Sequence, residues 1–392
     1  MQMKKKILLF LSRDLCYESN RYFMSYLEEA FEKKGYDVDT CDLSIQMEEK
    51  LENLLEHQEE YFAAIDFNSL LPRLELEDGT PYLEAFKVPF WNYLVDHPLY
   101  HHVGIKRSFS HYSVICIDTC HQMYMQKYYP HIKNVSYLPL GATEAEMTRS
   151  FDQKRFELLF LGTFEQEQEF LDLLADYPIK QQKEIKVLIE MMQADSELTQ
   201  EHALEIYLKE QGEKLSDLEF GARLNQNYLA DKYLRDVRRK KEVLAAAKSG
   251  IPFTIIGHGW DELMELDKSH ISVYSGIGYA AAIQMMANAK MLLNTTPEFH
   301  GGLHDRVYIA MQNRTLCFTE YGKFAASQLK NEQEVIFYDY KDIDTLPEKI
   351  YQVYQNPDKI QKITENAYNK AKAEYSWDKR AEELLAILQK KR

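Results

Sequence analysis

The sequence predicts an α/β protein made of two doubly wound, Rossmann-like domains in tandem. Three observations point there: a length of 392 residues, short apolar runs alternating with amphipathic helices, and a restart of that alternation at residues 155–164. A chain this long exceeds one ordinary core and suits two domains. Strand–helix–strand alternation requires parallel strands whose crossover helices cover both faces of a sheet.

The elements follow in order. "KKILLFLS" reads as a first strand and leads into "NRYFMSYLEEAFEKKGY", apolar at helical spacing and stopped at Gly35. "DVDTCDL", "YFAAIDFN", "VPFWNYLVD", "HYSVICID" and "NVSYLPLG" supply further short β-type runs, and "LPLGATEAEM" reads as a hinge. The second block opens at "RFELLFLGTF" and continues through "IPFTIIGHGW", "AKMLLNTTP", "RTLCFTEYG" and "EVIFYDY". Between its first two strands lies an acidic, helix-rich stretch, residues 165–250, ending in the amphipathic "YLADKYLRDVRRKKEVLAAAKSG" closed by Gly250. The expected domains are 1–148, joined by the closing helix at about 376–392, and 149–375.

Composition narrows the function classes. Hydrophobic residues are 45% and charged residues 28%, as in soluble globular proteins. A net charge of −15 argues against nucleic acid as a general partner but permits a local basic pocket. Five scattered cysteines, Cys16, Cys41, Cys116, Cys120 and Cys317, fit reduced thiols in a cytosol. "ILLFL" is too short for a signal-peptide core, and no run approaches the roughly 20 apolar residues of a membrane span. The expectation is a cytoplasmic protein, free or peripheral at the inner membrane face, with oligomerisation left open.

Ligands of open α/β sheets sit beyond the carboxyl ends of the strands, so residues just after strands are the candidates. Gly162 and Thr163 follow "LLFL", where a glycine lets backbone N–H groups approach phosphate; a plain tight turn explains them equally well. In "GHGW" the glycines Gly257 and Gly259 permit close approach, and His258 or Trp260 could flank a base or sugar; a structural turn with a core tryptophan is the alternative. Ser275, Gly276 and Tyr279 lie in a glycine-containing loop opening a helix, suited to backbone contact with a nucleobase. In "EFHGGLHDRVYIAMQN" a helix is expected to begin near Asp305. Gly301 and Gly302 would let the backbone curl around an anion, and His304 and Arg306 would add donors in the first turn. His300 precedes the glycines, and the His-x3-His spacing is not that of a zincin, so no metal is expected. Asp305 acting only as a helix cap, with Arg306 paired at the surface, is the plainer alternative.

In the first domain "NYLVDHPLYHH" ends a strand with Asp96 and His97, a candidate general base, and Asp14 follows the first strand. A turn in which Asp96 serves only backbone N–H groups accounts for the same residues. "CIDTCH" suits neither a redox pair nor a common zinc site, and Cys116 reads as core.

Together, "FLGTF", "YLRDVRRKKEVLAAAKSGIPFTIIGHGW", "YAAAIQMMANAKMLLNTTPEFHGGLHDRVYIAMQNRTLCFTE", "YSWDKRAEELLAIL" and "WNYLVDHP" resemble the GT-B glycosyltransferases. More narrowly, they resemble the spore-maturation CgeB-like group of glycosyl-transferase-1-type domains. The resemblance implies the GT-B fold, with two Rossmann-like domains facing a cleft and the last helix crossing back onto the N-terminal domain. It implies a nucleoside-diphosphate sugar, UDP-linked by preference, in the C-terminal domain. The N-terminal domain would take a glycan, protein, lipid-linked or other hydroxyl acceptor. The leaving diphosphate would be stabilised by basic side chains and a helix start without a metal. One departure stands out: many retaining families carry two glutamates eight positions apart around this loop, where this chain has Gly301 and Ile309. Ribose would then fall to Asp305 or Glu320, and inversion with Asp96 or His97 as base is the expectation. A sugar-nucleotide epimerase and a non-catalytic GT-B subunit partnering another transferase are the rival readings.

Overall fold

The computed structural model describes residues 6–266, 268–296 and 299–390. The chain divides into two compact units. Unit 1 comprises 1–140, 215–225 and 377–392, and unit 2 comprises 141–214 and 226–376.

Unit 1 is a six-stranded sheet of β1 (Lys6–Leu11), β2 (Asp37–Asp42), β3 (Tyr61–Phe67), β4 (Phe90–Leu94), β5 (Tyr112–Cys116) and β6 (Val135–Tyr137). The spatial order is β2-β1-β3-β4-β5-β6, with every pair parallel. Parallel strands are covered on both faces, so they read as continuous apolar runs, and β3, β4 and β5 are buried at every position. The Ser19–Lys33 helix buries Phe23, Met24, Leu27, Ala30 and Phe31, a stripe at helical spacing. Trp377, which opens the last helix (Trp377–Gln389), packs against that stripe, 5.5 Å from Tyr26 and 5.8 Å from Phe23 between ring centroids.

Residues 215–225, expected in the second domain, belong to unit 1, and the chemistry of the contact explains why. Phe220 stacks on Tyr128 with ring centroids 4.2 Å apart. Gly221 admits the helix there, since a Cβ at that position would stand 2.4 Å from the Tyr129 hydroxyl. Asn225 Nδ2 donates to the Leu99 carbonyl at 2.8 Å.

Unit 2 is a second six-stranded parallel sheet of β7 (Phe156–Leu161), β8 (Phe253–Ile256), β9 (Ile271–Tyr274), β10 (Ala289–Asn294), β11 (Leu316–Glu320) and β12 (Ile336–Tyr338). Its order is β12-β11-β10-β7-β8-β9. Counted from β7 this is the 3-2-1-4-5-6 arrangement of the dinucleotide-binding folds, with the reversal of strand order between β7 and β10. β9, "ISVY", had no counterpart among the expected strands: it is four residues long and mostly exposed on this edge.

At the amino edge of this sheet Lys154 is only 6% exposed. Its ammonium donates to the carbonyls of Ala289 (3.0 Å), Asn313 (3.0 Å) and Arg314 (2.9 Å) and to Thr315 Oγ1 (3.0 Å). Burial lowers its pKa, and four oxygens hold the charge against that loss of hydration. The Lys154 side chain thereby ties the turn before β7 to the starts of β10 and β11. Among the described residues no helix is long and apolar enough to cross a membrane.

Candidate functional site

The carboxyl edge of unit 2 brings together the turns after β7, β8 and β10 and the start of the Asp305–Gln312 helix. Arg306, in the first turn of that helix, reaches back to the point where strand order reverses. Its guanidinium donates to the carbonyl of Leu161, the last residue of β7, and to the carbonyl of Thr295, just beyond β10, at 3.1 Å. A Cβ on Gly162 would press on the Phe160 ring, 3.0 Å away, and come into contact with Arg306 Nη1 at 3.4 Å.

A second arginine approaches from the other side. Arg239, on the Tyr228–Ala247 helix, donates to the Thr163 carbonyl and lies 3.4 Å from Asp236. The two guanidiniums thus hold the two flanks of Gly162, at the crevice where sheets of this order bind ligands. Arg239 was not foreseen: "RDVRRKKE" lies in an amphipathic helix, and only the tertiary fold turns Arg239, along with the buried Arg238, inward.

His304 and Asp305 form the rim of the helix start. His304 Nδ1 lies 2.5 Å from Asp305 Oδ1, which places a proton between them, and 3.3 Å from the Arg306 backbone N–H. The shorter contact governs the tautomer: Nδ1–H donates to Asp305. Burial lowers the His304 pKa, and the charges of Arg306 and Arg239 add to it. Burial alone would raise Asp305, but His304 and Arg306 outweigh it and keep the carboxyl below its ordinary range. Gly301 and Gly302 are buried, His300 is half-buried, and Pro297 and Glu298 of the same loop lie outside the described residues.

The "GHGW" turn serves the protein's own backbone. A Cβ on Gly257 would stand 2.0 Å from the Gly162 carbonyl oxygen, and one on Gly259, at φ +84°, 2.0 Å from that of Phe164. Trp260 is fully buried, and its Nε1–H donates to the Gly162 carbonyl at 2.7 Å. It is therefore a core residue under the β7 turn and not a wall for a base, while His258 is exposed at the rim. Ser275 is exposed, Gly276 half-exposed, and Tyr279 opens the Tyr279–Ala287 helix partly buried against the core. Ile309, where the resemblance leads one to look for glutamate, is 0% exposed and packs inside the sheet–helix core.

Below the crevice is a buried polar chain. The Tyr338 hydroxyl lies 2.9 Å from Glu242 Oε1 and 3.0 Å from the Asn294 carbonyl. A hydroxyl has one proton, and Tyr338 gives it to Glu242, with the Asn294 carbonyl as a second neighbour. Burial raises Glu242 well above its ordinary range, with nearby Glu320 adding to it. Burial also pushes Glu320, at the end of β11, up to about 7 against the pull of Arg238.

In unit 1 the candidates fall at the carboxyl edge of its sheet. Asp96 is exposed and accepts from Asn68 Nδ2 at 2.6 Å. His97 Nδ1 accepts the Leu99 N–H at 3.0 Å, so a neutral His97 has its lone pair engaged in its own turn. Asp14 is exposed and pairs with Arg21 at 3.3 Å. Cys116 is fully buried and burial pushes its thiol up, as fits a core position. Among the described residues no three His, Cys, Asp or Glu side chains converge as metal ligands.

Residues 238–386 match the model of the family described as "Glycosyl transferase-like". No curated protein matches the sequence. Among solved structures, an α-glucosyltransferase in complex with UDP-glucose and DNA containing an abasic site is similar over 98% of this chain and 99% of that one, at 12% identity and TM-score 0.57. A sucrose-phosphate synthase from Thermosynechococcus elongatus covers 98% of each chain at 10% identity and TM-score 0.55. Anabaena HepE, solved with UDP and glucose, covers 98% of this chain and all of its own at 10% identity and TM-score 0.55. Two six-stranded parallel sheets over nearly the full length of these structures give the chain the GT-B glycosyltransferase fold.

Proposed function

We propose that this chain is a metal-independent glycosyltransferase that moves a sugar from a nucleoside-diphosphate donor, UDP-linked by preference, to a hydroxyl acceptor such as a glycan or protein. The observation that carries the reading is the convergence of Arg306, Arg239 and the Asp305–Gln312 helix start on the turn after β7. Fixed guanidiniums beside a helix N-terminus oppose the charge that develops on a departing diphosphate, which is electrostatic stabilisation of the transition state. The bond from the anomeric carbon to the diphosphate oxygen breaks as the acceptor oxygen bonds to that carbon.

In this reading unit 2 takes the donor and unit 1 the acceptor. Asp96 accepts the acceptor's proton, because it is exposed while the His97 lone pair is engaged. The buried Ile309 is no glutamate for ribose, so Glu320 at the end of β11 takes that role, and inversion is the expected stereochemistry. Uridine is favoured because HepE was solved with UDP and the α-glucosyltransferase with UDP-glucose.

Calorimetric titration of wild type, Arg306→Ala and Arg239→Ala with UDP and UDP-glucose tests the assignment. A charge-assisted contact is worth about 1.5–3 kcal/mol, so UDP affinity should fall about 10- to 100-fold in each variant. Arg306→Ala binding UDP as tightly as wild type sinks the donor site. Isomerised donor sugar appearing without acceptor would instead make the protein an epimerase, and donor binding with neither hydrolysis nor transfer a non-catalytic subunit.

A further inference from the structure

The carboxyl edge of unit 1 carries basic groups to which the donor chemistry gives no role. Arg13 stands just beyond β1, Arg73 closes the turn Leu71–Arg73 after β3, and His101 closes the turn Pro98–His101 after β4. These three strands are neighbours, and strand order reverses at β1, with β2 on one side and β3 on the other. Such a reversal is where open parallel sheets take ligands.

The turns are held in place. Ser12 Oγ accepts the Leu70 N–H at 2.9 Å, Asn92 Oδ1 accepts the Ser69 N–H at 2.9 Å, and Asn20 Nδ2 donates to the Arg13 carbonyl at 2.5 Å. Arg73 lies along Gly104, where a Cβ would stand 3.7 Å from its Nε.

What these groups lack is a counter-charge. Among the described residues neither guanidinium has an ion-pair or hydrogen-bond partner, and the Nε of each is buried. His101 is 3% exposed and its Nε2 has no partner. Burial and then Arg13 lower Arg73, and burial and then Arg13, Arg73 and His97 lower His101, with no carboxylate acting on either. Of the acids at this edge Asp14 pairs with Arg21, Asp96 accepts from Asn68, Asp118 accepts the N–H groups of Cys120 and His121, and Asp66, fully buried beside Ser12 and Ser69, is pushed up to about 7 by burial; none of them is an ion-pair partner of Arg13 or Arg73. Two half-buried guanidiniums side by side without an opposing charge are costly, and a planar guanidinium is shaped to grip an oxyanion through two parallel bonds.

We infer that Arg13, Arg73 and His101 bind an anionic group of the acceptor, so that this enzyme glycosylates a phosphate- or carboxylate-bearing molecule. The inference rests on the reading that unit 1 holds the acceptor. A phosphomonoester suits the trio best, because its several oxygens can meet two guanidiniums and one imidazole N–H together.

The experiment uses the full chain with saturating UDP, so that the donor site is filled. Affinity is measured for inorganic phosphate, glucose 6-phosphate, glucuronate and glucose, in wild type, Arg13→Gln, Arg73→Gln and Arg73→Lys. Glucose 6-phosphate should bind more tightly than glucose, weaken about tenfold or more in each glutamine variant, and recover in part in Arg73→Lys, with UDP affinity unchanged. Tighter binding of glucuronate than of glucose 6-phosphate, lost in the same variants, supports the site and assigns the anion as carboxylate. Equal affinity for glucose and its phosphate, or retention of phosphate binding in both glutamine variants, overturns it. UDP that fails to bind wild type while glucose 6-phosphate binding depends on Arg13 and Arg73 overturns the donor assignment and leaves the anion site standing.

Discussion

Replacing Lys154 with methionine tests how much of unit 2 hangs on one buried charge. The methionine keeps most of the side chain's length and bulk but none of its donors. Thr315 Oγ1 has one proton and its shortest acceptor is the Met286 carbonyl at 2.6 Å, with Ala289 next at 2.9 Å and Asn313 only at 3.5 Å, so it makes up little of the loss. The Arg314 carbonyl, 2.9 Å from the ammonium in the native chain, loses its donor outright. One to two buried carbonyls without partners cost about 1–3 kcal/mol each, partly offset because a charge need no longer be desolvated. The net expectation is a loss of about 2–4 kcal/mol. For a domain of this size that lowers the melting temperature by roughly 5–15 °C. Urea and thermal unfolding followed by circular dichroism read it directly. A melting temperature within about 2 °C of wild type would refute the reasoning, since it would mean the cage holds its oxygens as well without the ammonium.

Two further outcomes follow from local geometry and burial. Gly259→Ala combines a φ of +84° with a Cβ 2.0 Å from the Phe164 carbonyl oxygen, so the urea midpoint should drop by an amount equivalent to about 2–4 kcal/mol; an unchanged midpoint contradicts the packing described for this turn. Burial raises the Asp66 carboxyl from 3.8 to about 7, so between those values the native chain holds a proton that the unfolded chain has released. Stability should therefore fall as pH rises through that window, by up to about 1.4 kcal/mol per pH unit, and Asp66→Asn should flatten the dependence. An equally steep pH profile in the variant counts against it.

The strands that form the two sheets were legible because parallel strands covered on both faces must be apolar at nearly every position, as β3 and β10 are. β9 was hidden for the opposite reason, having four residues that alternate out of the core. The Asp305–Gln312 helix start was readable from its glycines, acid and arginine, because the signals that begin a helix are local. What "GHGW" lacked was any sign of what its glycines approach: spacing announces a close contact but does not say whether the neighbour is ligand or chain. Arg239 and the move of 215–225 into unit 1 were illegible for the same reason. Each depends on a partner far along the sequence, Thr163 for the one and Tyr128 for the other.

The turns after β7 and β8 also have a mechanical consequence. Gly257 and Gly259 lie against Gly162 and Phe164, Trp260 donates to Gly162, and the Phe164 N–H donates to the His258 carbonyl at 3.0 Å. Neither turn can swing without dragging the other, so they form one rigid plate and not two independent flaps. Slow, matched amide exchange across residues 162–164 and 257–260 would be its signature. A designer wishing to reshape this edge of the sheet would have to exchange both turns as a cassette, because either one transplanted alone would arrive without its mate.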